Sequence, residues 1–88
     1  MIRRHVLVTG RVQGVFYRDS CRREARAAGV TGWVRNLPDG RVEATFEGDP
    51  QAVDSLLEWA QRGPEAAVVD HMTVNDEQPV GDTEFVVR

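Results

Sequence analysis

From His5 to Val12 apolar and polar residues alternate, with Val6, Val8 and Val12 on one side and His5, Thr9 and Arg11 on the other. That period of two predicts a half-buried strand. From Phe16 the spacing lengthens, and Tyr17, Cys21, Ala25 and Ala28 fall on one face of a helix that Gly29 can end. Asp19 near its start and Arg22, Arg23 and Arg26 in later turns suit the helix dipole. Val30 to Leu37 and Arg41 to Glu47 read as two strands joined at Pro38-Asp39-Gly40, a hairpin-competent turn. In the second of these strands Val42, Ala44 and Phe46 alternate with Glu43, Thr45 and Glu47, which predicts one core face and one wet face. Asp49-Pro50 opens a second helix as a capping residue followed by a proline suited to the first helical position. Val53, Leu56, Leu57 and Ala60 form its apolar stripe, and Gly63-Pro64 ends it. Ala66 to Val74 predicts a fourth strand, Asn75 to Asp82 a polar connection, and Thr83 to Val87 a short final strand.

The order βαββαβ with a short extra C-terminal strand predicts an α+β fold of the ferredoxin-like, split βαβ kind. In it an antiparallel sheet carries both helices on one face. At 88 residues the chain is expected to be a single domain, 1–88, that buries somewhat over ~60% of the surface its unfolded form exposes. This architecture serves many unrelated activities, so function has to be argued from a site.

The candidate site is the run Gly10-Arg11-Val12-Gln13-Gly14-Val15-Phe16-Tyr17-Arg18, which leads from the first strand into the first helix. The first N–H groups of a helix lack intrahelical partners, and the dipole adds about half a positive charge there, so such a turn attracts anions. Gly14 permits dihedrals closed to other residues, which lets the amides of Val15, Phe16, Tyr17 and Arg18 converge on phosphate oxygens. Arg18 then supplies a planar, permanently charged fork for two oxygens. On spacing alone an ordinary tight turn with a surface arginine fits equally well.

A second segment adds to this: Gly32-Trp33-Val34-Arg35-Asn36, followed by Leu37-Pro38-Asp39 and Gly40-Arg41-Val42. The glycine-x-valine-glutamine-glycine loop ending in arginine and the glycine-aromatic-x-x-asparagine strand entering a glycine turn together resemble the acylphosphatase family. The helix after the loop, the chain length and the Phe85-Val86-Val87-Arg88 ending fit as well, so the resemblance covers nearly the whole chain. It implies hydrolysis of acyl phosphates to carboxylate and inorganic phosphate. It also implies that the 13–18 loop (Gln13, Gly14, Val15, Phe16, Tyr17, Arg18) binds phosphate and that Arg18 and Asn36 are catalytic, Asn36 placing the attacking water.

The chemistry agrees with that implication. A carboxylate leaving group has a pKa near ~4.3 and departs without a general acid, while the loose phosphoryl transition state is stabilised mainly by position and charge. Asn36 is not a base, but its carbonyl can accept a hydrogen bond from water. No cofactor and no metal are expected. His5 and His71 lie on strand patterns without further ligands at metal-binding spacing, and both read as structural or exposed. Trp33 and Trp59 read as packing residues, Cys21 as core, and Asp76-Glu77 as part of the solvent-facing connection.

All eleven basic residues are arginine, which excludes lysine Schiff-base chemistry and the phosphate-loop lysine of nucleotide hydrolases. Residues 1–41 carry nine arginines against three acids, and 42–88 carry two against eleven, so the half with the loop is positive. A single cysteine forms no intrachain disulfide, and no apolar run is long enough to span a bilayer. The first residues enter a strand pattern without a signal-peptide core, and a cytoplasmic monomer is the expectation. The partners expected are a small-molecule acyl phosphate, with inorganic phosphate or sulfate competing, and neither nucleic acid nor membrane. The alternative is a non-catalytic anion- or metabolite-binding module, or an RNA-binding module of the same architecture. RNA-binding sheets stack bases on aromatics of a central strand. The strand from Arg41 to Gly48 offers one aromatic on its core side and glutamates on its outer face.

Overall fold

A computed structural model describes residues 1–88. Its elements are β1 (Ile2–Arg11), α1 (Tyr17–Ala28), β2 (Thr31–Asn36), β3 (Val42–Gly48), α2 (Pro50–Ala60), β4 (Val68–Glu77) and β5 (Phe85–Val87). The sheet order is β4-β1-β3-β2-β5. β3 runs antiparallel to both β1 and β2, and β4 runs antiparallel to the free side of β1. β1 and β2 are therefore parallel and flank β3, the split βαβ arrangement expected from the element order. The short β5 pairs parallel with β2, so the sheet is mixed rather than wholly antiparallel.

Parity decides the core. Val6 faces Ala44, which faces Val34 on the next strand, and Val8 faces Val42. These side chains pack against Tyr17, Cys21 and Ala25 of α1 and Val53, Leu56 and Ala60 of α2, none more than 3% exposed. Burial pushes the Cys21 thiol up, which keeps it a neutral core residue. Ala28 and Leu57 differ from the sequence reading: Ala28 is exposed in the last turn, and Leu57 is half-buried at the edge of the stripe. Gly29 ends α1 as predicted, in the left-handed region at φ 74° with its N–H on the carbonyls of Ala25 and Arg26. Asp49 caps α2 through the Gln51 N–H.

The outer face of the sheet is not wet at its middle. Glu47 is 0% exposed because residues 80–82 fold over that end of β3, and Thr45, 1% exposed, lies between His5 and Trp33 of the neighbouring strands. The Glu47 carboxylate accepts the Val80 N–H at 2.8 Å, the Gly81 N–H at 2.9 Å and Arg3 at 3.2 Å. Arg3, 6% exposed, also reaches Glu77 and Asp82, each at 2.9 Å. Burial works to raise the Glu47 carboxyl, but the Val80 and Gly81 amides and the Arg3 guanidinium outweigh it and hold it below the ordinary range. Alternation assigns a residue to a face; whether that face is covered depends on a segment over thirty residues away.

Pairing between β1 and β4 moves the boundaries of both strands. β1 begins at Ile2 rather than His5, and β4 runs from Val68 to Glu77, beginning later than Ala66 and passing the predicted end at Val74. Arg3 lies opposite Glu77 and Arg4 opposite Asp76, so charge pairs extend the ladder where no apolar residue marks it. Asp76 and Glu77 are thus strand residues, not part of a loose connection. His5 sits on the same outer face with Nε2 2.7 Å from Glu43, which also takes Arg35 at 2.6 Å.

Candidate active site

β1 and β2 are parallel, so the loop after β1 and the last residue of β2 come out at one end of the sheet. Asn36 continues the parity of Gly32 and Val34 and therefore lies on the helix side, beside the start of α1. There a pocket of about 290 Å³ is lined by Val12, Gly14, Phe16, Tyr17, Arg18, Asp19 and Asn36. Two segments named separately from sequence thus meet in one cavity.

Gly14 takes φ 73°, and a Cβ added there would touch nothing within 4 Å. Dihedral freedom, not space, is what requires glycine at that position. Phe16 is also left-handed, at φ 64° and ψ 22°, which for a side chain with a Cβ costs about 1 to 2 kcal/mol. No side chain caps α1, and its first backbone bond runs from the Ser20 N–H to the Phe16 carbonyl at 3.0 Å. The N–H groups of Val15, Phe16, Tyr17, Arg18 and Asp19 donate to no acceptor within the protein. A cluster of free amides at the positive end of a helix dipole is a ready anion cradle.

Arg18 is half-buried, and no carboxylate lies within ion-pair distance of it. Asp19, the one acid on the pocket wall, has its oxygens taken by Arg22 at 2.8 Å and Arg23 at 3.0 Å. Arg18 is therefore left free to meet a ligand's charge. The Oδ1 of Asn36 is buried and has no hydrogen-bond partner, an arrangement that typically costs about 1 to 3 kcal/mol. Asn36 also lines the pocket, so a small rotation of its side chain would present this unpaired oxygen to a donor from outside the protein.

Of the other loop residues, Val15 is buried in the core, and the Tyr17 ring points inward. The Tyr17 hydroxyl donates to the Ala60 carbonyl at 2.7 Å, its ring packs 5.4 Å from Trp59, and burial pushes its phenol up. Their side chains are committed to the core, and what they leave unpaired are backbone N–H groups. Gln13 does not line the pocket. Its Nε2 donates to the Leu37 carbonyl at 2.8 Å and the Arg41 carbonyl at 2.9 Å, clamping the loop to the two ends of the β2–β3 turn, next to Asn36. Neither the clamp nor the left-handed Phe16 carries a sequence signal, since a polar and an aromatic residue in a loop have many uses.

Elsewhere, no group of three His, Cys, Asp or Glu is placed to hold a metal ion. His71 is exposed, Trp59 packs against the core, and Trp33 lies under the guanidinium groups of Arg88 at 4.5 Å and Arg35 at 5.3 Å. Phe46, the aromatic of the central strand, is 1% exposed and unavailable for stacking a base. No helix is long and apolar enough to cross a membrane.

The acylphosphatase family model matches residues 4–87. The chain belongs to the acylphosphatase family. It is 56% identical over 86 residues to an acylphosphatase of Gloeobacter violaceus, covering 98% of this chain and 92% of that one. With an acylphosphatase of Methylococcus capsulatus it shares 57% identity over 88 residues, covering 99% and 96%. The crystal structure of acylphosphatase from Bacillus subtilis superposes with a TM-score of 0.96 at 34% identity, covering 100% of this chain and 99% of that one. Residues of both motifs line the pocket just described: Gly14, Phe16, Tyr17 and Arg18 from the loop, and Asn36 from the strand.

Proposed function

We propose that the protein hydrolyses small-molecule acyl phosphates to a carboxylate and inorganic phosphate in this pocket. The observation that carries the reading is the meeting, in one cavity, of free loop amides, an arginine without an acidic partner and an orphaned asparagine oxygen. The amides of residues 15–18 and the Arg18 fork bind the phosphoryl oxygens, where charge accumulates in the transition state. Asn36 Oδ1 accepts a hydrogen bond from water and holds it in line with phosphorus. The water oxygen forms the new P–O bond as the bond to the acyl oxygen breaks. The electron pair leaves with the carboxylate, and the water's proton passes to a phosphoryl oxygen. No side chain need titrate, which suits a pocket whose one acid is held by two arginines. Gln13 serves this site through its clamp on the turn that follows Asn36, and inorganic phosphate or sulfate competes for the same cradle.

Benzoyl phosphate hydrolysis, followed by loss of its ultraviolet absorbance in buffer with excess chelator, tests the reading. Wild type is expected to turn over. Arg18→Ala is expected to lose roughly 10³ to 10⁵ in rate, by comparison with other transition-state arginines. Arg18→Lys restores little, because a point charge does not reproduce two parallel bonds. A folded Arg18→Ala protein with near-normal kcat/KM refutes the assignment.

A further inference from the structure

Phe16 combines two unfavourable features at one position. Its backbone is left-handed, a region suited to glycine or asparagine, and its ring is 76% exposed to water. The anion cradle explains the dihedral but not the side chain, since a glycine would hold the same amides with less strain. An outlier of this kind at a site points to a role for the group that causes it. Phe16 lines the pocket together with Arg18 and Asn36. The other apolar residues there, Val12 and Tyr17, are 1% and 2% exposed and have their side chains in the core. Phe16 is thus the one large apolar surface open to whatever is attached to a bound phosphoryl group.

We propose that Phe16 is a specificity-determining residue whose ring packs against the acyl portion of the substrate. The preferred substrates are then acyl phosphates with an aromatic or extended apolar acyl group, in preference to acetyl-sized or charged ones. The inference rests on the reading of this pocket as the acyl phosphate site. The phosphoryl group is common to all such substrates, so the cradle and Arg18 do not distinguish among them; discrimination has to come from contacts beyond it. A flat aromatic face favours apolar and aromatic groups, and offers nothing to replace the hydration of a second charge.

The test compares kcat/KM for benzoyl phosphate and acetyl phosphate in wild type, Phe16→Asn and Phe16→Gly. Both substitutions accept the left-handed backbone, so the loop is not strained by them. Inhibition by inorganic phosphate reports whether the cradle persists. Wild type is expected to favour benzoyl phosphate by roughly tenfold or more, the low end of what a single apolar contact surface contributes. In both variants that ratio collapses toward unity, through a higher KM for benzoyl phosphate, while phosphate still inhibits. A ratio that stays at the wild-type value in variants still inhibited by phosphate overturns the proposal. Parallel loss of both substrates together with phosphate inhibition also overturns it, by showing that the ring supports the loop. If wild type hydrolyses neither substrate, the functional reading itself fails, an outcome distinct from an unchanged ratio.

Discussion

Replacing Gln13 with alanine removes both hydrogen bonds that tie the loop to the β2–β3 turn. Neither carbonyl is orphaned by the change: Leu37 O still accepts the Gly40 N–H at 3.2 Å, and Arg41 O still accepts the Leu37 N–H at 2.8 Å. The stability cost is therefore the net value of two bonds, about 1 kcal/mol each, without the added penalty of a buried unpaired group. A total near 2 kcal/mol lowers the melting temperature of a domain this size by about 8 to 16 °C. The catalytic cost follows from the neighbouring residue. Asn36 precedes Leu37 directly, and a displacement on the order of 1 Å at a positioning group costs up to about 10²-fold in rate. Because Gln13 lies outside the pocket wall, the loss is expected in kcat, with phosphate inhibition kept. Thermal melts together with kcat, KM and the phosphate inhibition constant on benzoyl phosphate measure all three quantities. A variant destabilised by about 2 kcal/mol but with unchanged kcat would show that the clamp is purely structural. Lost phosphate inhibition with intact kcat would show that the side chain contacts the anion after all.

Glu47→Gln places an amide donor against one of the N–H donors that now serve the carboxylate, so it is expected to destabilise by about 2 to 4 kcal/mol, Arg3 keeping Glu77 and Asp82. Because the folded pKa of Glu47 lies below the unfolded one, its contribution is full above about pH 4.5 and is lost as pH falls through the folded value. Denaturant unfolding across that range should show the gap between wild type and variant closing in acid, and a constant gap would contradict the assignment. Inorganic phosphate at a hundred times its dissociation constant is expected to add about 2.7 kcal/mol to wild type. Chloride at matched ionic strength should not reproduce that rise in melting temperature.

The fold was largely readable because its signals are local. Period-two runs at Val6–Val8 and Val42–Phe46, the Asp49-Pro50 start and the Gly29 stop each act within a few residues. What could not be read depends on residues distant in sequence. The burial of Glu47 is set by Arg3 and by the amides of Val80 and Gly81, and the reach of β4 to Glu77 by pairing with Arg3. At the site, Arg18, Gly14 and Asn36 were visible as residue types at motif spacing. Gln13 was placed with the anion from its position in the loop, whereas its side chain turns to the Leu37 and Arg41 carbonyls. The free Arg18 was not predictable either, because it requires Asp19 to be taken by Arg22 and Arg23 rather than by its neighbour.

Division of labour between Arg18 and Asn36 is what the mechanism stands on, and the Asn36→Ala protein separates the two functions. Circular dichroism first establishes that the variant is folded. Then kcat on benzoyl phosphate and the phosphate inhibition constant are measured side by side. Loss of one preorganised hydrogen-bonding group in the transition state predicts a fall in kcat of roughly 10² to 10³, or about 3 to 4 kcal/mol. Phosphate inhibition should hold at the wild-type value, because the amides and Arg18 are untouched. A folded Asn36→Ala protein that keeps its kcat but loses phosphate binding would contradict the water-positioning role.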